Sequence, residues 1–491
     1  MKKFSDKVIV YMGSNFIGSF LQLVTGMLMV RYLTKYDYGT FRQIMLIAVL
    51  VSTTIAIGLP QSLSYFIPRA STRREKKQLA FQVFIALSLL GLIAAIICYL
   101  LRFWITAGFN NPDILHYSWI FSLFFLFLIP SKCTQATLVA LDRTHFASFL
   151  NAGTAIFNFL FVIIPLILGK DLKIILMFML TVYIIKFIIV VYVLSSLEGG
   201  MPKLFDLPSI KAQFFYSYPL GASLIVGVMR KYIDQFIIAF FYNPVNFAIY
   251  SRGAFELPFI ALMPYTLNKL MIPRIVEYQK EDRKSSILHL WHESIRKVAL
   301  VFFPLFIFTF IFAEQIITLL FTSDYLDSVS IFRIYLVLLP FRIVAYRTIL
   351  QAVGKTKQIF IAVSISLILS VVLGIAFERI MGMTGPAIAI VIGELAGSGF
   401  MLWQTKIHLK VSLSDLIPIK RLFYPLLSSL IVGIMVFPLS FASLSTLSIL
   451  VTSALLYFCV YIFIMRIFNF FTKSDWDLIC RWTTLQVLRA K

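Results

Sequence analysis

From end to end the chain alternates long apolar runs with short polar, mostly basic connections. A run of about 18 or more residues with almost no charge is the length a helix needs to cross ~30 Å of hydrocarbon. Fourteen such spans are predicted, at 8–30, 44–67, 79–101, 117–139, 146–168, 174–197, 214–241, 244–272, 298–321, 329–353, 359–377, 384–403, 422–439 and 447–465. The predicted class is an all-α polytopic membrane protein. The first span follows Lys2, Lys3 and Lys7, but it is too long for a signal-peptide core and lacks a small-residue cleavage site. It is expected to stay as a membrane helix.

Composition supports this reading, since a 491-residue chain that is 60% hydrophobic and 13% charged has too little polar surface for a soluble protein. The net charge of +22 changes the picture only through its distribution. With the N-terminus inside, 28 Lys and Arg fall in inside segments and 7 in outside ones. This is the positive-inside bias. It predicts cytoplasmic N- and C-termini and absorbs the excess charge without a nucleic-acid partner. Trp104, Trp119 and Trp403 fall near span ends, as an interfacial belt requires. Trp291, Trp476 and Trp482 fall in cytoplasmic segments expected to lie on the membrane as amphipathic helices. Cys98, Cys133, Cys459 and Cys480 are scattered and the histidines lack ligand spacing, so no metal site and no cofactor are expected. No outside loop is long enough to fold into a domain, and the longest cytoplasmic segment, 273–297, has no DxD. Both points weigh against an enzyme such as a membrane polysaccharide polymerase.

Charges inside the spans are the candidate chemistry. The seventh span holds Arg230, Lys231 and Asp234; the eighth holds Arg252 and Glu256. Asp234 and Arg252 are equally far from Asn243 at the turn, and so are Arg230 and Glu256. In an antiparallel hairpin, equal distance means equal depth, so opposite charges are expected to meet at two levels. A charge at the bilayer centre costs at least ~2.5–3.5 kcal/mol, so these groups must pair or face water. One reading is a buried ion-pair network that fixes the hairpin; the other is a gate that breaks during a transport cycle. Lys231 has no partner by this argument.

Two pairs of short segments, the first matched both at a proline and at an Ile-Pro-Arg, indicate an internal repeat. PQSLSYFIPR after Leu59 parallels PYTLNKLMIPR after Met263, and ALDRTHF at Ala140 parallels AVGKTKQ at Ala352. The Ile-Pro-Arg elements at 67–69 and 272–274 are expected in equivalent positions. The inferred organisation is a six-helix half over 1–205, a second over 206–410, and two further helices with a cytoplasmic tail over 411–491. An even number of spans per half makes the repeat parallel, with substrate bound between halves near the midplane.

The stretch YSYPLGASLIVGVMRKYIDQFIIAFFYNPVNFAIYSRGAFELPFIALMP, with RYLTKYDYGTF, ILQAVGKTK and GMTGPAIAIVIGE, resembles the polysaccharide-transporter (O-antigen flippase) branch of the multidrug/oligosaccharidyl-lipid/polysaccharide exporter superfamily. The resemblance implies a V-shaped, two-lobed transporter working by alternating access in the bacterial inner membrane. The implied substrate is undecaprenyl-pyrophosphate-linked oligosaccharide, carried from the cytoplasmic to the periplasmic leaflet for O-antigen or capsule synthesis. Two other branches stay open: peptidoglycan lipid-precursor flippases, and drug or cation exporters. The first span carries no charge, only Asn15 and Gln22, which weighs against cation export.

A lipid-linked pyrophosphate needs a cationic path, and Arg suits it because the guanidinium fork matches phosphate oxygens. Arg230, Lys231, Arg252, Arg333, Arg342 and Lys186 are the candidates for that path. An interhelical partner is an equal reading for Lys186, and Arg333 could sit among headgroups. Asp234, Glu256 and Glu394 are candidates for an ion-pair gate or for H+ or Na+ coupling, and a hydrogen-bonded structural role is the alternative for Glu394. Lys132, Lys269 and Arg347 are expected to snorkel to the cytoplasmic surface.

The hairpin pairing makes a direct prediction. Asp234→Arg or Arg252→Asp alone should destabilise the protein by about 3–5 kcal/mol, as breaking a buried pair does. The double exchange should recover part of that loss, measured as melting temperature in detergent. Additive loss in the double variant would exclude the pair.

Overall fold

The computed structural model describes residues 2–198, 200, 206–255, 271–467 and 470. Among these residues every regular element is helical. Clustering of contacts divides the chain into one unit of 1–251 with 367–389 and a second of 252–366 with 390–491.

The first unit is built from α1 (Lys2–Tyr32), α2 (Lys35–Ala56), α3 (Leu59–Phe66), α4 (Arg73–Leu100), α5 (Arg102–Gly108), α6 (Asp113–Ala140), α7 (Thr144–Ile167), α8 (Leu172–Ser195), α9 (Leu207–Phe241) and most of α10 (Pro244–Gly253). The helices α11 (Lys284–Ile311), α12 (Ala313–Phe321), α13 (Ser328–Leu336), α14 (Leu338–Phe341) and α15 (Arg347–Ala352) follow, all in the second unit. Next come α16 (Thr356–Met381) and α17 (Thr384–Leu409), which are shared between the units, and α18 (Leu413–Leu416), α19 (Ile419–Val436) and α20 (Thr446–Ile467), which belong to the second. Among the described residues, 11 helices are long and apolar enough to cross a membrane, so the chain is a multi-pass membrane protein.

The remaining three predicted spans fare differently. The span at 214–241 lies in α9, whose 35 residues include Arg230, Lys231 and Asp234. The span at 244–272 begins as α10 and runs into 256–270, outside the described residues. The span at 329–353 is not continuous: α13, α14 and α15 replace it, with non-helical backbone from 342 to 346. Pro340 cannot donate to the helical ladder, and the chain leaves the helix two residues later.

The second predicted span is also corrected. Thr34 accepts a hydrogen bond from the Asp37 N–H at 3.1 Å and caps α2 well before Ile44. The helix ends at Ala56, where Ile57 (φ 44°) and Gly58 (φ 70°) turn left-handed. Pro60 then sits in the first turn of α3, where its missing N–H costs nothing. Against this break lies α9. A Cβ on Gly221 would overlap the Ile57 carbonyl, and one on Gly58 would come within 2.7 Å of the Gly221 nitrogen. Only two residues without side chains permit that approach. At the other end of α2, a Cβ on Gly39 would overlap the Pro244 carbonyl at the start of α10. The two contacts are about 28 Å apart along α2, at ~1.5 Å per residue. The stretch from Gly221 to Pro244 is thus clamped to α2 at both ends.

Elsewhere the packing follows size rather than polarity. On α4, Ala80, Gly91, Ala94 and Ala95 face inward, while Leu89, Leu92, Ile93, Ile96, Ile97 and Leu100 are exposed. Lipid is as apolar as leucine, so helix association there is driven by close approach over small residues. A Cβ on Gly91 would lie 2.8 Å from the Phe125 carbonyl of α6. In the same unit, α1 packs on α7, and α6 packs on α8.

The turn at Ala140 has the same hydrogen bonds as the turn at Ala352. Leu141, Asp142 and Arg143 donate to Thr137, Val139 and Leu138; Val353, Gly354 and Lys355 donate to Ile349, Gln351 and Leu350. Asp142 and Gly354 are both left-handed. This is the helix-ending motif in which one residue with positive φ satisfies the last carbonyls; it also ends helices at Gly169 and Asp282, outside the two sequence matches. The other matched pair differs locally: Ile67–Arg69 forms a 3-10 turn, whereas 272–274 lies in a helical stretch.

In the second unit, α19 and α20 pack on α11 and α12 through Leu300, Phe308, Phe312, Val432 and Tyr457. The Tyr457 and Tyr461 hydroxyls donate to the Ser429 and Leu300 carbonyls at 3.0 and 3.1 Å. Trp291 does not lie on a membrane surface. It is fully buried in α11 and its indole N–H donates to the Leu416 carbonyl at 2.9 Å. The amphipathic pattern of 284–297 is that of a helix buried on one face, continuous with the ninth span. Trp476 and Trp482 lie outside the described residues.

The clamp yields a prediction. Gly221→Ala should cost about 1–3 kcal/mol through overpacking against the Ile57 carbonyl, seen as a lower melting temperature in detergent. Gly227→Ala, on the same helix with nothing within 4 Å of its Cβ, should leave the melting temperature unchanged or raise it.

Candidate functional site

The polar interior of the first unit is organised around α2, α9 and α10. Asp234 is 1% exposed and accepts a hydrogen bond from the Tyr250 hydroxyl at 2.7 Å. The hairpin is therefore tied by a phenol as well as by any ion pair. Arg230, one turn before Asp234, is half-buried. Lys231 is exposed, with its ammonium 5.5 Å from the Tyr232 ring centre. The seam between the units falls between Ser251 and Arg252, so Asp234 and Arg252 belong to different units. Glu256, and with it the Arg230–Glu256 pair, lies outside the described residues.

Arg42 is the group that sequence reasoning missed. Starting the second span at Ile44 left Arg42 in a loop, but α2 starts at Lys35 and carries it about two turns into the helix. It is half-buried, its Nε has no hydrogen-bond partner among the described residues, and Tyr232 is its electrostatic neighbour. The signal was present: Thr34-Lys-Tyr-Asp37 is a helix-start pattern. Close by, Asn111 donates to Thr40 and Gln43 of α2 at 2.9 and 2.7 Å and accepts from the Tyr36 hydroxyl at 3.2 Å. This network holds the start of α2 against the α5–α6 turn.

A second polar region lies among α6, α7 and α8. Lys132 does not snorkel. Its ammonium donates to the Ser52 carbonyl at 2.8 Å and to the Ser52 hydroxyl at 3.0 Å, near the end of α2 where the helix dipole is negative. Lys186 is half-buried and lies 5.7 Å from the Tyr183 ring centre. Both lysines line a cavity of about 220 Å³.

In the second unit, Arg252 is 7% exposed and its guanidinium lies 4.7 Å over the Phe321 ring, with Tyr325 as an electrostatic neighbour. Arg333 pairs with Glu314 at 3.3 Å and also donates to the Phe310 carbonyl at 3.3 Å. Arg342 stands at the start of the non-helical stretch that interrupts the tenth predicted span. Irregular backbone at membrane depth is tolerated where it is buried in protein or lines water. Glu394 is half-buried in α17, and Lys269 lies outside the described residues. Among the described residues, no group of three His, Cys, Asp or Glu side chains could hold a metal ion.

The family model described as "Polysaccharide biosynthesis protein" matches residues 28–330. The chain belongs to the polysaccharide biosynthesis protein family. No curated protein matches this family member. Its fold is shared with solved transporters. It is similar to the lipid II flippase MurJ in an inward closed conformation, with a TM-score of 0.76 and 18% identity over 96% of this chain and 100% of the other. It is similar to an inward-facing multidrug resistance MATE family transporter, with a TM-score of 0.67 and 14% identity over 82% and 98%. A MOP superfamily transporter from Pyrococcus furiosus gives a TM-score of 0.55 and 15% identity over 82% and 95%.

Tyr250 gives the test of this site in the polysaccharide biosynthesis family member. Tyr250→Phe keeps the ring and removes one donor from a buried carboxylate. The expected loss is about 1.5–3 kcal/mol, read as a fall in melting temperature. An unchanged melting temperature would show that the bond to Asp234 does not hold the hairpin.

Proposed function

We propose that this protein is a lipid-linked oligosaccharide flippase that moves undecaprenyl-pyrophosphate-linked glycan from the cytoplasmic to the periplasmic leaflet for surface polysaccharide synthesis. Family membership over residues 28–330 on a multi-pass fold shared with transporters carries the reading. The intramembrane cations support it. The diphosphate must pass a low-dielectric layer, and fixed positive groups lower that barrier. Arg42, Arg230, Lys231, Arg252 and Arg342 are the groups assigned to this path, and Lys231, exposed beside Tyr232, is the most accessible of those on α9. Asp234 with Arg252, and Arg230 with Glu256, are assigned to the gate, and Glu394 to H+ or Na+ coupling. The working organisation is two equivalent halves, 1–205 and 206–410, plus 411–491, with both termini in the cytoplasm of a bacterium.

A peptidoglycan lipid-precursor flippase is the second reading. It is favoured by the similarity to a lipid II flippase over all of that chain. Complementation separates the two: rescue of surface glycan in a strain lacking its O-antigen or capsule flippase supports the first, and rescue of growth on depletion of the lipid II flippase supports the second.

The mechanism predicts that Lys231→Gln and Arg342→Gln reduce surface glycan without altering expression or membrane insertion. Lys231→Arg should retain more than Lys231→Gln. Full glycan from the Lys231→Gln/Arg342→Gln double variant would refute a cationic path through these residues.

A further inference from the structure

The cavity among α6, α7 and α8 lies wholly within the first unit and is lined by Lys132, Lys186, Asn151, Thr154, Gln135 and Ser131, among others. We infer that it is a binding site for a phosphate-type oxyanion, held by the Lys186 ammonium. Lys186 is also a candidate for the cationic path, but the inference concerns binding by the purified protein, and its test reads binding and not transport.

Helix geometry places the polar groups at one level. Lys132 lies eight residues before the end of α6, Lys186 nine before the end of α8, and Asn151 seven after the start of α7. At ~1.5 Å per residue these are about 10–14 Å from helix ends on the same side. Such a level is deep in the apolar layer, where an ammonium needs a counter-charge or water.

Among the described residues, no carboxylate lines the cavity. Lys132 is already satisfied in part by Ser52. Lys186 is not: its described contact is the Tyr183 ring, with which a cation interacts through the ring face. Two positive groups therefore border one partly open cavity, with no carboxylate among the described residues that line it. Asn151 is held in place by donating to Asn15 at 2.9 Å and to Ser14 at 3.4 Å, which ties the cavity wall to α1. The Thr134, Ser131 and Thr154 hydroxyls donate to carbonyls of their own helices. Their lone pairs remain for water or for the O–H of a protonated phosphate. At ~30 Å³ per water, about 220 Å³ holds roughly seven waters, or a phosphate group with part of its hydration shell. A halide would leave most of that space to water.

The phosphate group has two sources, a free inorganic anion or the headgroup of an anionic lipid, and the experiment separates them. The protein is reconstituted in phosphatidylcholine nanodiscs and its melting temperature is followed while sodium phosphate is titrated at constant ionic strength, with chloride as the reference salt. In parallel, nanodiscs containing phosphatidylglycerol are compared with phosphatidylcholine alone in buffer without inorganic phosphate. A rise with phosphate identifies the free anion; a rise with phosphatidylglycerol only identifies the lipid headgroup. In either case Lys186→Gln should weaken the effect about tenfold in half-saturating concentration, the loss of one charge-assisted hydrogen bond. Lys186→Arg should retain it. Should Lys186→Gln fail to fold, Asn151→Asp places a carboxylate beside the ammonium and should abolish the effect. Lys76→Gln, on the basic surface outside the cavity, should change nothing. A stabilisation equal in wild type and in the folded Lys186 or Asn151 variant, equal loss in Lys76→Gln, or no stabilisation in either arm would overturn the inference.

Discussion

The contact of Gly221 with the backbone of Ile57 and Gly58 is the constraint from which much of the first unit follows. The α9 helix can lie against α2 at that depth only because neither chain presents a side chain there. The approach coincides with the point where α2 stops and turns left-handed. A helix that ends within apolar surroundings leaves carbonyls that need donors. The Lys132 ammonium supplies two hydrogen bonds near that end. This draws Lys132 inward, away from the surface it would otherwise reach, and it becomes one wall of the cavity it shares with Lys186. One backbone approach thus connects a glycine pair, a broken helix, an inward lysine and a cationic cavity.

The intramembrane cations divide by how they are satisfied. Arg333 has a carboxylate, Arg252 has an aromatic face, and Lys132 has a helix end. Each arrangement is a different answer to the same desolvation cost, and each leaves a different amount of positive potential for a substrate. Lys186 and Lys231 have aromatic rings as their described contacts, which screen the charge least. A diphosphate crossing the membrane would meet its strongest attraction at groups of this kind.

Interrupted helices recur in both units. α2 passes to α3 through two left-handed residues, and α13 to α15 are separated by short irregular stretches beside Arg342. Backbone breaks of this sort bend with little loss of internal hydrogen bonding and place polar backbone groups where a substrate can meet them. In the second unit, by contrast, Tyr457 and Tyr461 lock α20 to its neighbours by hydrogen bonds and dense apolar packing.

The membrane class and most of the span positions were legible in the sequence, because hydropathy over eighteen residues is a local quantity. Arg42 was hidden by a helix start read two turns too late, although the Thr34–Asp37 cap marked it. The partners were not legible. That Tyr250 reaches Asp234, that Lys132 turns to Ser52 and not to the surface, and that Trp291 is buried against Leu416 depend on which faces of distant helices meet. In an apolar solvent both faces of a helix are hydrophobic, so periodicity carries little information about facing. The small residues that decide it, Gly58, Gly91 and Gly221, show their role only when the opposing backbone is in place.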